Sequence, residues 1–247
     1  MRIQSDPPIN TQDDYSAGAA VAASTGLWRG RPAKSVYVLG RRTVFNSASA
    51  FQDIAQYLVG GQNLFNPVVS GTEYFIVSTD ALDVAGSAGV SQVRIVYLDR
   101  SGTERTKTVV LNGDTKVSIG SDFSAIQWME SAVMGTAAAV VSAGTISIYS
   151  GAGAAAAEAT SVEQILLGGN RSLSCRYTVP LNHTAYITGW TTASPGSQKQ
   201  DIRLRADVFA DDRKLSKGIF HFQATSYLAA ESTPYREELG WLKLPSG

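Results

Sequence analysis

The segment QVRIVYLDRSGTERTKTVVLNGDTKVSI, residues 92–119, constrains the fold more than any other stretch of the chain. Val93, Ile95 and Tyr97 alternate with Arg94, Val96 and Leu98, the period-two pattern of a strand. Asp99-Arg100-Ser101-Gly102 supplies a turn with glycine where a left-handed backbone is wanted, TERTKTVVL returns, and Asn112-Gly113 reverses the chain again. This pattern predicts a three-stranded meander.

Further strands are expected on either side. SVYVLGRRTVF (35–45), TEYFIVST (72–79), SAIQWMESAVMG (124–135) and TISIYSG (145–151) are rich in β-branched and aromatic residues. LSCRYTVP (173–180), a Leu181-Asn182-His183 turn and TAYITGW (184–190) predict a second hairpin. DIRLRADVF (201–209), a DDRK turn (211–214) and KGIFHFQATS (217–226) predict a third. One short helix is expected: Ser49 precedes Gln52 at capping-box spacing, Phe51, Ile54, Ala55 and Leu58 follow at helical spacing, and Gly60–Gly61 stop it. Short strands recurring about every ten residues predict an all-β, antiparallel, jelly-roll-like β-sandwich.

Residues 1–35 have a different composition. Pro7, Pro8, Asn10 and Asp13–Asp14 lead into SAGAAVAASTG, which has little to bury, and predict an extended N-terminal arm. Residues 36–247 are then one sandwich domain, although the alanine-rich GAGAAAAEATS within 151–170 would serve as a linker in an alternative division.

Composition narrows the functional classes. A chain of 247 residues can bury a sizeable core, so it needs neither disulfides nor structural metal. The balance of 21 basic against 21 acidic residues argues against a protein that coats nucleic acid. Its single cysteine excludes an internal disulfide framework and a cysteine-rich zinc site. MRIQSDPPINTQDD lacks the apolar stretch of a secretory signal, and no run approaches the roughly 18 apolar residues of a membrane span. A soluble chain with no membrane partner is expected.

Catalytic signatures are missing. There is no GxSxG elbow, Walker-A lysine, HExxH or CxxC, and the glycine pairs lack the strand-turn-helix context of a phosphate cradle. His183 falls in a turn with no carboxylate or nucleophile beside it, and His221 falls in an alternating strand. Cys175 is expected to be a buried structural thiol. Asp13–Asp14, Asp211–Asp212 and Glu237–Glu238 are sequence neighbours, unsuited to sharing one substrate. Asp80 and Asp83 are too few for a calcium loop. No catalytic, cofactor or metal residue is assigned, and no enzyme activity is expected.

Candidate interface residues remain. Trp28, Arg29 and Arg31 combine the residue types most enriched at binding hot spots, so the end of the arm reads as a docking segment or as a terminus whose tryptophan packs on its own domain. Arg203 and Arg205 stand two apart on a strand and share one face, making either a positive strip for an acidic partner or an ordinary charged sheet face.

The meander, WMESAVMGTAAAVVSAGTISIYSG and RYTVPLNHTAYITGWTTAS followed by DIRLRADVF together resemble virion structural proteins of tailed bacteriophages over about residues 90–210. The family's YTVPxxxTAY hairpin is present, but its usual small glycine-bearing turn is replaced here by Leu181-Asn182-His183. That resemblance implies a capsid decoration or cement protein of the virion, assembled in the host cytoplasm. Its implied form is a homotrimer whose partners are its own copies and the major capsid protein, without a specific nucleic acid. A tail or baseplate adsorption protein binding host glycan is the alternative it implies, with Trp190, Tyr227 and Tyr235 as loop aromatics.

Overall fold

A computed structural model describes residues 27–28, 31–32, 36, 38–41, 68–134, 141–151, 161–187, 190–192, 200–206, 222–228, 235–237 and 242–245. The chain divides into two compact units. One comprises Met1–Tyr37, His183–Phe209 and Ser216–Ser246, and the other Val38–Asn182, Ala210–Leu215 and Gly247.

The described part is all-β, with no helix among the described residues. Strands β1 (Leu27–Trp28) and β2 (Arg31–Pro32) precede β3 (Tyr74–Ser78), β4 (Val90–Leu98), β5 (Glu104–Val110) and β6 (Val117–Gly120). Next come β7 (Ala125–Met134), β8 (Ile146–Ser150), β9 (Ser161–Ile165), β10 (Thr184–Ile187) and β11 (Trp190–Thr192). The last are β12 (Gln200–Ala206), β13 (Phe222–Leu228), β14 (Tyr235–Glu237) and β15 (Leu242–Pro245). The helix expected over 49–61 lies outside the described residues, as does the arm apart from β1 and β2.

The second unit holds two antiparallel sheets, ordered β6-β3-β8-β9 and β5-β4-β7. Alternation sets what β3, β4 and β8 contribute inward, and register shifts on β7 and β9 bring residues three apart to the same face. Tyr74 and Ile76 of β3, Val93 and Ile95 of β4, Ile126 and Met129 of β7, Ile146 and Ile148 of β8 and Val162 and Ile165 of β9 all join one buried hydrophobic cluster. Phe123 sits inside it, edge-on to Tyr74 and 4.5 Å from the ring centre of Tyr97.

The expected meander is corrected at its third strand. β4 and β5 form the hairpin, with Gln92 opposite Val110 and Leu98 opposite Glu104, but β6 pairs with β3 in the other sheet. The Asn112-Gly113 turn is the cause. Gly113 has a positive φ of 59°, its N–H donates to the Asp83 carbonyl and its own carbonyl accepts from Ser78 N–H. Tied to the β3–β4 loop, the turn delivers β6 beside β3.

Asp83 organises that loop. Its side chain is fully buried, and two oxygens accept four hydrogen bonds. Val90 and Ala143 N–H reach Oδ1 at 2.8 and 3.0 Å, while Ser78 Oγ and Gly144 N–H reach Oδ2 at 2.5 and 2.9 Å. The donors come from the end of β3, the start of β4 and the approach to β8, so one carboxylate joins both sheets. Gly89 permits this, since a methyl group there would overlap Asp83 Oδ1.

Asp99 closes the β4–β5 turn in a similar way. Oδ1 accepts from Ser101 N–H, Ser101 Oγ and Thr103 N–H, and Oδ2 accepts from Arg105 Nε at 3.0 Å. The Ser101 hydroxyl, the Arg105 guanidinium and the Thr103 amide hold its carboxyl well below the usual carboxylate range. A depressed folded value stabilises the fold above the unfolded carboxylate pKa, and that contribution fades as acid titrates the folded group. Asp99→Asn should therefore flatten the fall in thermal midpoint below about pH 4. Parallel acid limbs for variant and wild type would contradict this.

β5 ends its sheet, and an exposed edge strand invites pairing with another chain. Lys107 stands opposite the core residue Ile95, so it occupies an inward position on this edge, and its Nζ donates to the Ile119 carbonyl of β6 at 2.8 Å. Replacing it with valine should leave the strand intact and increase self-association. Sedimentation velocity and light scattering at rising concentration would detect the change, and an unaltered profile would refute it.

Residues 170–181 form a strap rather than the expected strand. Asn170 and Ser172 bond β7 through Ser131 and Met129, Thr178 N–H donates to Gln127 Oε1, and Leu181 N–H donates to the Gly102 carbonyl. Arg176 turns toward β9, where its Nη2 donates to the Val162 carbonyl and meets Glu163 Oε2 at 3.2 Å. β9 itself falls just past the alanine-rich stretch and was not expected as a strand.

The expected hairpin between 173–180 and 184–190 does not form. Asn182 has a positive φ of 61°, and β10 beyond it pairs with β15. In the first unit Thr184 faces Pro245, Trp190 faces Glu237, Gln200 faces Leu228 and Ala206 faces Phe222. The three ladders are nested, with their centres within one residue of one another along the chain. β12 and β13 are thus the third expected hairpin, while its DDRK turn lies outside the described residues.

Candidate interaction face

The outward positions of β4 and its neighbours form three rows. Gln92 lies between Val110 and Val133, Arg94 between Thr108 and Glu130, and Val96 between Thr106 and Trp128. Val110, at the end of β5, and Val133, between two register shifts on β7, remain 54% and 45% exposed. Arg94 forms an ion pair with Glu130. The strap adds a further column, because Arg171 stands opposite Glu130 and places its guanidinium 5.2 Å from the Trp128 ring centre. The result is a neutral-to-basic surface of threonine, valine and tryptophan crossed by one charged row.

This face continues past β7. Beyond Asn170–Ser172, Cys175 N–H donates to the Leu39 carbonyl at 2.9 Å and Arg41 N–H to the Leu173 carbonyl at 3.3 Å, with Gly40 bridged to Ser174. The 38–41 segment is therefore an extra rung carried on the strap. Described residues 36 and 38–41 of the expected 35–45 strand make only this single bridge. Against it lies a half-open groove of ≈ 250 Å³, lined by Leu39, Arg41, Leu167, Arg171 and Leu173 and by the 168–170 turn. Leu39 and Leu167 are 48% and 68% exposed.

The buried carboxylates serve the fold. Asp83 and Asp99 are surrounded by donors from their own loops, and Glu163 is held at Arg176, with burial pushing its carboxyl up against the opposing pull of that guanidinium. Asp80 Oδ1 caps Leu82 N–H. Among the described residues no group of three or more His, Cys, Asp or Glu could hold a metal. His183 is exposed.

Cys175 corrects an expectation in part: burial pushes its thiol pKa up, yet the residue is exposed. The reason is its backbone: a positive φ of 49° breaks the alternation that would have turned it inward.

The other expected interface residues are placed only in part. Trp28 pairs with Arg31 across β1 and β2, and Arg29 lies outside the described residues. Arg203 faces Thr225 and Arg205 faces Gln223, alternate positions on one face of the β12–β13 ladder. Trp190, Tyr227 and Tyr235, expected in loops, lie instead on β11, β13 and β14. The face around Trp128 was missed because its signal was tertiary: Val110, Glu130 and Arg171 meet only through the register. Within the described residues no helix is long and apolar enough to cross a membrane. No family model, no curated protein and no solved structure matches this chain.

Proposed function

We propose that the chain is a non-enzymatic structural protein that works by packing against neighbouring protein, as a trimeric capsid decoration or cement module of a phage virion. The observation that carries this reading is the outer face of β5-β4-β7, with exposed Val110 and Val133, threonines and Trp128. The architecture fits. Two antiparallel sheets sharing one core are what a β-sandwich reading of the second unit calls for, and the nested β10–β15, β11–β14 and β12–β13 ladders fit the pairing from which a jelly roll is wound. The virion placement rests on the sequence resemblance, and the N-terminal arm as a docking element on the residue types of Trp28, Arg29 and Arg31. A cement protein binds the assembled lattice and not the free subunits, so it stabilises the lattice by mass action.

Sedimentation equilibrium of the purified protein tests the packing role. The wild type should be an oligomer, and Val110→Asp with Val133→Asp should give folded monomers with an unchanged far-ultraviolet circular dichroism spectrum. A wild-type monomer that also fails to co-sediment with expanded capsid shells would remove the proposal.

A further inference from the structure

We infer that Asn112–Gly113 is a self-modifying site, held shut by the native turn, whose conversion to isoaspartate unfastens β6 from β3. The inference is independent of the packing role.

The reaction belongs to the dipeptide itself. The main-chain nitrogen after an asparagine attacks the side-chain carbonyl carbon Cγ and gives up its proton. A succinimide ring closes as the bond from Cγ to the amide nitrogen breaks and ammonia leaves. Water then opens the ring at either carbonyl, giving aspartate or, with the main chain rerouted through Cβ, isoaspartate. Glycine as the second residue presents no Cβ in the path of attack. The chain contains this dipeptide once.

The fold requires that glycine. Gly113 has a positive φ of 59°, and a Cβ there would lie 2.9 Å from Ala81 Cα. Asn112 is exposed, so water reaches its side chain. What opposes the reaction is a grip on the nucleophile. Gly113 is buried, its N–H donates to the Asp83 carbonyl at 2.9 Å, and its carbonyl accepts from Ser78 N–H at 3.0 Å. The Asn112 carbonyl accepts from Thr115 N–H at 3.0 Å, and Asn112 is bridged to Val84. To cyclise, the nitrogen has to leave Asp83 and swing toward Cγ, so the turn must open first. Isoaspartate inserts an extra main-chain carbon ahead of Gly113. The bonds to Asp83 and Ser78 then cannot both re-form, and β6 is no longer delivered beside β3.

The test incubates the full chain at mildly alkaline pH, native and in urea, and maps its peptides by mass spectrometry, with isoaspartate scored by enzymatic methylation. In urea, Asn112 should convert ahead of the other asparagines, and the native fold should slow it about a hundredfold. Asp83→Asn and Ser78→Ala loosen the loop without touching the dipeptide. Either should speed the native reaction about tenfold and leave the rate in urea unchanged. Refolded isoaspartate chain, isolated by chromatography, should melt below wild type, whereas Asn112→Asp, with its ordinary main chain, should melt near it. Equal rates with and without urea, native rates unmoved by both loop variants, or an isoaspartate chain that melts like Asn112→Asp would overturn the inference.

Discussion

Replacing Asp83 with alanine should lower the stability of the second unit by about 4 kcal/mol or more, an effect large enough to unfold many domains. The substitution strips the acceptor from three backbone N–H groups and one hydroxyl that are bonded to a fully buried carboxylate. Each buried donor left unsatisfied costs about 1–3 kcal/mol, and water has little access there. Asp83→Asn should fall between the two, about 2 kcal/mol below wild type, because one amide oxygen still accepts while the NH2 group faces donors. Urea unfolding with an unchanged m-value would measure both. A midpoint for Asp83→Ala close to wild type would show that the three loops hold together without this carboxylate.

The second large effect concerns the Glu163–Arg176 pair. Glu163 has no exposed side-chain surface and Arg176 has 16%, so removing one partner leaves the other's buried charge uncompensated by its opposite. Arg176→Met should destabilise by about 3–5 kcal/mol at neutral pH. The sign of the pH dependence follows from the raised folded pKa of Glu163. The folded state takes up the proton at higher pH than the unfolded state does, so acidification through that folded value adds stability, and the gain is complete once pH falls below the unfolded pKa. Part of the Arg176→Met loss should accordingly be recovered on mild acidification. The double variant Glu163→Leu with Arg176→Met should lie within about 1.5 kcal/mol of wild type, since apolar residues of similar volume often replace a buried pair without loss. If instead the double variant lost as much as the two single variants added together, the residues would be energetically independent.

How much of the fold was legible depended on whether each strand's partner was local. β4 and β5 alternate cleanly and are joined by a glycine-bearing turn, so both the strands and their pairing could be read. β3, β7 and β8 could be read as strands, but not their partners, which lie far along the chain. β6 was assigned to the wrong sheet because the docking of Gly113 on the Ser78–Asp83 loop leaves no local trace. β9 was missed for a different reason. All five residues of SVEQI are buried, Glu163 and Gln164 included, and two polar residues in a short run disguise a fully buried strand. The strap was read as a strand because its composition is that of one. The glycines were legible as loop residues, but the close approach of Asp83 to Gly89 was not. The candidate face and groove stayed hidden because residues as distant as Leu39 and Arg171 meet there.

The nested ladders of the first unit carry a kinetic consequence. Strands separated by as much of the chain as β10 and β15 would ordinarily face a large loop-closure entropy and fold slowly. Here every pairing encloses the next, so once β12 meets β13 the gap left for β11 and β14 is already short, and theirs in turn shortens the gap for β10 and β15. Closure is met mainly once, at the tip, and the remainder can zip outward in steps each as local as a hairpin. Substitutions near Ala206 and Phe222 should then slow folding, whereas those near Thr184 and Pro245 should chiefly speed unfolding.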